Sequence, residues 1–199
     1  MSVQNTAVIG AGTMGNGIAH VFALHGYDVT LIDLDESLLR DAQGTIERNL
    51  SRQVENEAIT ADEKAEALGR LSMTPNMPKG VRLADLVVEA VPEEQRIKAD
   101  VFGTLDEHAP DEAILASNTS SISITWIANQ TERPAQVVGM HFFNPVPVMT
   151  LVEVVRGQRT SEATFQTVSG VAEDLEKTPV EVEDYPGFVS NRVLMPMIN

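Results

Sequence analysis

Residues 5–24 read NTAVIGAGTMGNGIAHVFAL, and the reading of this stretch decides the fold. Residues 6–10 form a short apolar run of strand character, and residues 14–24 carry a helical pattern. Between them stands Gly10-Ala11-Gly12-Thr13-Met14-Gly15. A glycine at the first position permits a tight turn, one at the second lets a pyrophosphate approach the backbone, and one at the third lets helix and strand pack closely. The pyrophosphate then rests on the helix start, at Thr13 and Met14, where unpaired N–H groups favour an anion. A second strand, DVTLID at 28–33, ends on Asp33, at about the ~20-residue spacing such folds use for a ribose-binding carboxylate. That carboxylate suits the ribose hydroxyls of NAD and would repel the 2′-phosphate of NADP. Leu34, beside it, offers no phosphate-binding arginine.

Working outward, strand-like runs at 86–89, 114–117, 137–140 and 151–155 alternate with helix-length amphipathic stretches. The helix at 93–105 keeps Ile97, Val101 and Leu105 on one face. This pattern predicts an α/β, Rossmann-type doubly wound sheet, mostly parallel and covered on both faces. Residues 37–54 and 61–71 break the alternation with two consecutive helices, a hairpin inserted at 37–71 that is expected to project beside the site. Residues 184–188, DYPGF, signal a turn. The expected division is a dinucleotide-binding domain at 1–185, followed at 186–199 by the first part of a truncated all-α second domain.

The bulk numbers narrow the class. The 199 residues contain 29 acidic and 14 basic side chains, a formal net charge of −15, and no cysteine. Disulfides and thiolate metal sites are excluded, and nucleic acid is an unsuitable partner for so acidic a surface. No apolar run approaches the ~18 residues of a membrane span, and nothing at the N-terminus reads as a signal peptide. A cytoplasmic, non-membrane protein is expected. The scattered acidic residues and the four lysines suggest adaptation to salt. No cluster has metal-ligand spacing, so no metal is expected.

The chemistry-bearing block is GMHFFNPVPVM at 139–149. His141 ends a predicted strand, Pro145 and Pro147 stiffen the connection, and the next strand carries Glu153. If the two strands pair, a carboxylate accepting one imidazole N–H would fix the tautomer and leave the other nitrogen basic. On spacing alone, His141 could equally be a satisfied core histidine and Glu153 a solvated strand residue. Asn118 and Ser120, in ASNTSSI, follow the strand at 114–117, at the carboxyl end where ligands bind in such sheets; helix capping is the competing role. His20, His25 and His108 lie on helix patterns and read as surface or packing residues.

With these residues on the page, GAGTMGNGIA, LVVEAVPE, ASNTSSISI, GMHFFNPVPVMTLVEVV and PGFVSNRVLMPMIN together resemble the 3-hydroxyacyl-CoA dehydrogenase family from about Ala7 onward. The resemblance implies NAD-dependent interconversion of (3S)-3-hydroxyacyl-CoA and 3-oxoacyl-CoA, a step of β-oxidation in fatty acid metabolism. It implies His141 as general base, Glu153 as its orienting partner, and Ser120 and Asn191 as groups that bond the substrate near the reacting carbon. Asn144 would be a supporting polar residue. Glu93, Lys98, Asn118 and Ser120 would join Gly10, Gly12, Thr13, Met14, Gly15 and Asp33 in contacting the cofactor. The hairpin resembles an arm that contacts coenzyme A, although its turn, Val54-Glu55-Asn56-Glu57-Ala58, lacks lysines, and Arg48 and Arg52 would have to substitute. The full-length protein would be a homodimer acting on an acyl-CoA thioester. Two other readings stand beside this one: an NAD-binding fragment with little turnover, and a dehydrogenase of free 3-hydroxyacids.

Overall fold

A computed structural model describes residues 2–198. In chain order the elements are β1 (Asn5–Ile9), α1 (Thr13–Leu24), β2 (Asp28–Ile32), α2 (Glu36–Glu55), α3 (Ala61–Gly69), β3 (Leu71–Thr74), α4 (Met77–Gly80) and β4 (Leu86–Glu89). They continue with α5 (Gln95–His108), β5 (Ile114–Ser117), α6 (Ile124–Ala128), β6 (Val137–Phe142), β7 (Leu151–Arg156), α7 (Glu162–Asp174), β8 (Thr178–Glu183) and α8 (Ser190–Ile198). The eight strands form one sheet in the order β3-β2-β1-β4-β5-β6-β7-β8. Every neighbouring pair is parallel except β6 and β7.

Two apolar cores fill the two faces. On one, Ile18 and Phe22 of α1, Leu39 and Ile46 of α2 and Phe165 and Val168 of α7 pack over Val8, Leu31 and Val88. On the other, Phe102 and Leu105 of α5 and Ile124 and Ile127 of α6 pack over Ala7, Val87 and Leu115. A sheet covered on both faces needs strands that are apolar on both sides, and β4, β5 and β6 are buried along their whole length. The chain turns outward from β1 in both directions, to β2 and to β4. That switch point opens a crevice at the carboxyl ends of the strands.

The structure corrects the sequence reading in three places. The second hairpin helix stops at Gly69, and Leu71, expected in it, begins the edge strand β3. The hairpin does not simply project: Leu39, Ala42, Ile46 and Leu50 are buried against α1, making its base part of the core. Residues 157–183, on which the sequence reading was silent, supply α7 and the edge strand β8. No described helix is long and apolar enough to cross a membrane.

Candidate active site

The glycine turn has the geometry its spacing predicts. Gly10 has φ +99°, and a Cβ there would lie 2.7 Å from the Ala90 carbonyl oxygen. At Gly15 a Cβ would fall 1.7 Å from the Gly10 oxygen, so no side chain fits between strand and helix. A Cβ at Gly12 would meet nothing within 4 Å; the backbone is bare toward open space. Gly12 also caps α1 without a side-chain bond, leaving the first N–H groups of the helix to an incoming anion. Asp33 Oδ2 accepts the Ala11 N–H at 2.8 Å and Oδ1 the Asp35 N–H at 3.0 Å. Each oxygen keeps a lone pair, and the charge stands beside an exposed Leu34 rather than a cation. A largely apolar cleft of about 480 Å³ runs along Gly12, Met14, Asp33, Pro92 and Ile97. Bare glycine, uncapped helix and carboxylate together fit the adenosine diphosphate half of NAD.

A second cleft, of about 380 Å³, shares Met14, Ala90 and Val91 with the first and is lined by Glu93, Asn118, Ser120, His141, Asn144 and Asn191. Here the reversal of β7 matters. His141 and Glu153 are register partners in the antiparallel pair, so their side chains share a face. His141 Nδ1 lies 2.8 Å from Glu153 Oε2. The carboxylate can only accept, so Nδ1 carries the proton and Nε2 the lone pair. The imidazole packs against the rings of Phe143 and Phe188, at 4.6 and 5.8 Å between centroids. Burial pushes the Glu153 carboxyl up, but the bonds from His141 and from the Ser190 N–H and hydroxyl outweigh it and hold the group below its usual range.

The residues expected to meet the cofactor divide into two groups. Asn118 Oδ1 accepts the Phe142 N–H at 2.8 Å, which ties β5 to β6 and leaves its amide N–H groups for the cleft. Glu93 is at the cleft wall, where Oε1 accepts from the Thr119 hydroxyl, the Ser120 and Ser121 N–H groups and the Ser121 hydroxyl. Burial raises its carboxyl, and those donors with Lys98 pull it lower than an ordinary glutamate. Lys98, by contrast, is 1% exposed and lies beneath the cleft, paired with Glu89 at 2.6 Å and Glu93 at 3.3 Å. Lys98, expected among the cofactor contacts, thus stands beneath Glu93 with its ammonium between two carboxylates.

Asn191 Nδ2 donates to the Ser120 carbonyl at 3.2 Å, joining the start of α8 to the loop after β5. Asn144 is an exposed residue of the cleft rim. His20, read as a packing residue, is buried with Nε2 3.1 Å from Gln53; His25 and His108 are half-buried near the C-terminal ends of α1 and α5. On the arm, Arg48 bonds Thr45 and Lys64 bonds Ser51, within the hairpin itself. Sequence reasoning missed Glu89, Thr119 and Ser190. Glu89 sits in a run that reads as plain strand, Thr119 as one hydroxyl among several, and Ser190 was overlooked beside Asn191. Among the described residues no three metal-ligating side chains gather.

Comparison with known proteins shows which family the chain resembles. Residues 5–185 match the family model described as 3-hydroxyacyl-CoA dehydrogenase, NAD binding domain. The chain is 48% identical over 193 residues to a 3-hydroxybutyryl-CoA dehydrogenase of Clostridioides difficile, covering 97% of this chain and 68% of that one. It is 50% identical to a probable 3-hydroxybutyryl-CoA dehydrogenase of Deinococcus radiodurans, covering 96% and 68%. The crystal structure of (S)-3-hydroxybutyryl-CoA dehydrogenase from Ralstonia eutropha superimposes with a TM-score of 0.97 at 41% identity, covering all of this chain and 70% of that one.

Proposed function

The chain belongs to the 3-hydroxyacyl-CoA dehydrogenase family, as its NAD-binding domain, and from that premise we propose that it interconverts a (3S)-3-hydroxyacyl-CoA and a 3-oxoacyl-CoA with a His141–Glu153 dyad as the base. The observation that carries the reading is the 2.8 Å bond from His141 to Glu153, set in a cleft continuous with the one at the glycine turn.

Bound NAD supplies the hydride acceptor for C3. The chain supplies the groups that hold the cofactor and move the proton. The α1 N-terminus and Gly12 hold the pyrophosphate, and Asp33 the adenosine ribose. His141 Nε2 takes the C3 hydroxyl proton, and the Glu153 charge stabilises the imidazolium that results. Ser120 and Asn191 donate to the substrate oxygen and fix its orientation, while Asn118 serves the cofactor side. The Phe143 and Phe188 rings keep water from the imidazole.

The test is NADH oxidation with acetoacetyl-CoA, beside His141→Gln and beside free acetoacetate. Turnover of the thioester alone, lost in the variant while NADH still binds, is the expected result. Turnover of the free acid, or an active His141→Gln, would overturn the proposal.

A second reading is a cofactor-binding module with little turnover. It is favoured by α8, where Val193, Leu194 and Met197 are 57%, 51% and 77% exposed. NADH binding without turnover distinguishes it.

A further inference from the structure

The carboxylate of Glu153 has two oxygens, and only one of them serves the histidine. Oε2 meets His141 Nδ1, while Oε1 accepts both the N–H and the hydroxyl of Ser190, each at 2.8 Å. Ser190 is the first residue of α8, so the carboxylate also lies at the positive end of that helix. Glu153 is 1% exposed. With no donors on Oε1, its terminal torsion would be a broad two-fold rotor, and a buried acceptor would be left unpaired.

Resting on the dehydrogenase reading, we infer that Ser190 is a positioning residue for the base: its N–H and hydroxyl hold Oε1 so that Oε2 stays opposite His141 Nδ1. The turn that presents Ser190 is itself fixed. Gly187 and Phe188 have φ of +76° and +51°, and Phe188, 2% exposed, packs on the imidazole. Asp184 accepts from the Ser123 hydroxyl and from the N–H groups of Ile124 and Thr125, clasping the turn to α6. Asn191, next in sequence, reaches the Ser120 carbonyl. Two consecutive residues of α8 thus hold opposite sides of the cleft, one on the base and one on the substrate loop.

The other charged groups around the dyad are few. Glu93 lines the same cleft; Arg192, on α8, lies over the Tyr185 ring at 5.7 Å; on β8 the register partner of Glu153 is Val180. Removing the hydroxyl therefore changes the setting of Glu153 without freeing another charge onto it.

The first readout is the low-field proton resonance of the His141 Nδ1–H in the whole chain, identified by its loss in His141→Gln and Glu153→Gln. Ser190→Ala should broaden it and move it upfield, and Ser190→Thr, which keeps the hydroxyl, should restore it. The second readout is acetoacetyl-CoA reduction. Ser190→Ala should lower kcat roughly 3- to 10-fold at unchanged KM. It should also move the acid limb of the pH profile to higher pH, because Glu153 loses one of the donors that hold its carboxyl low. A resonance identical in Ser190→Ala and the parent overturns the inference, whether or not the chain turns over. An intact, Ser190-sensitive resonance in a chain without turnover overturns the dehydrogenase reading instead and leaves the positioning role standing.

Discussion

Lys98 and Glu89 form an ion pair 2.6 Å long whose side chains are 1% and 0% exposed. Glu89 also accepts the Ser117 hydroxyl and the Val91 N–H. A buried pair of this kind contributes little net stability as a pair, yet losing one member strands the other charge away from water. Lys98→Met or Glu89→Leu should therefore cost about 3–5 kcal/mol, read from urea unfolding. The double variant Lys98→Met/Glu89→Leu should cost less than either single change. Additive losses would show that the pair is not the energetic unit.

Two glycines of the cofactor turn should separate cleanly in experiment. Gly12→Ala places its methyl in open space, so the melting temperature should hold within about 2 °C. NADH affinity should fall at least about tenfold, because the methyl occupies the pyrophosphate approach. Gly15→Ala must displace the Gly10 carbonyl and should cost about 3 kcal/mol of folding stability. Calorimetry with and without NADH distinguishes the two; equal behaviour would refute the assignment.

Tyr27 gives a pH-dependent prediction of definite sign. Burial, then the charge of Asp174, then the 3.3 Å bond to it push the phenol from 10.0 up to about 12. A phenol whose folded value is raised contributes stability that is fully present below about pH 10 and is lost as the pH rises toward 12. Alkaline unfolding should be steeper in the parent than in Tyr27→Phe, and absorbance at 295 nm should show one phenol titrating late. Coincident stability curves from pH 9 to 12 would refute this.

The charge of −15 makes a fourth prediction. Glu55, Glu57, Asp62, Glu63 and Glu66 are all exposed on the helical hairpin. Raising KCl shortens the screening length from about 10 Å at 0.1 M to about 3 Å at 1 M, which relieves their repulsion. The urea midpoint should climb with KCl, and a midpoint highest at low salt would sink the idea of salt adaptation.

Legibility in the sequence followed the strength of local signals. β1, the glycine turn, α1 and β2 could be read because special backbone positions and apolar runs coincide there. The His141–Glu153 pairing could be framed because prolines and strand patterns bracket the loop. β3 was hidden because LSMT is four residues long and directly follows a helix. β8 was hidden because Pro179 and alternating charges suit only an edge strand, where a missing N–H is tolerated. The burial of Lys98 was hidden because no spacing reveals that two carboxylates, one in β4 and one before α5, converge on it. Ser190 was missed because its partner lies 37 positions away, and only the seating of α8 brings them together.

The one reversal of direction in the sheet carries an arithmetic consequence. Side chains alternate along a strand with a period of two, so a slip of β7 by a single residue would turn Glu153 to the opposite face and bring a valine, Val152 or Val154, to the position across from His141. The slip would also carry the Glu153 charge among the apolar side chains packed around Val152 and Val154, so the sheet would lose stability together with the pairing. Insertions or deletions between Leu151 and Glu153 are thus governed by parity: an even count can preserve which face confronts the imidazole, and an odd one silences it. The His141–Glu153 pair is in that sense a checksum on strand alignment.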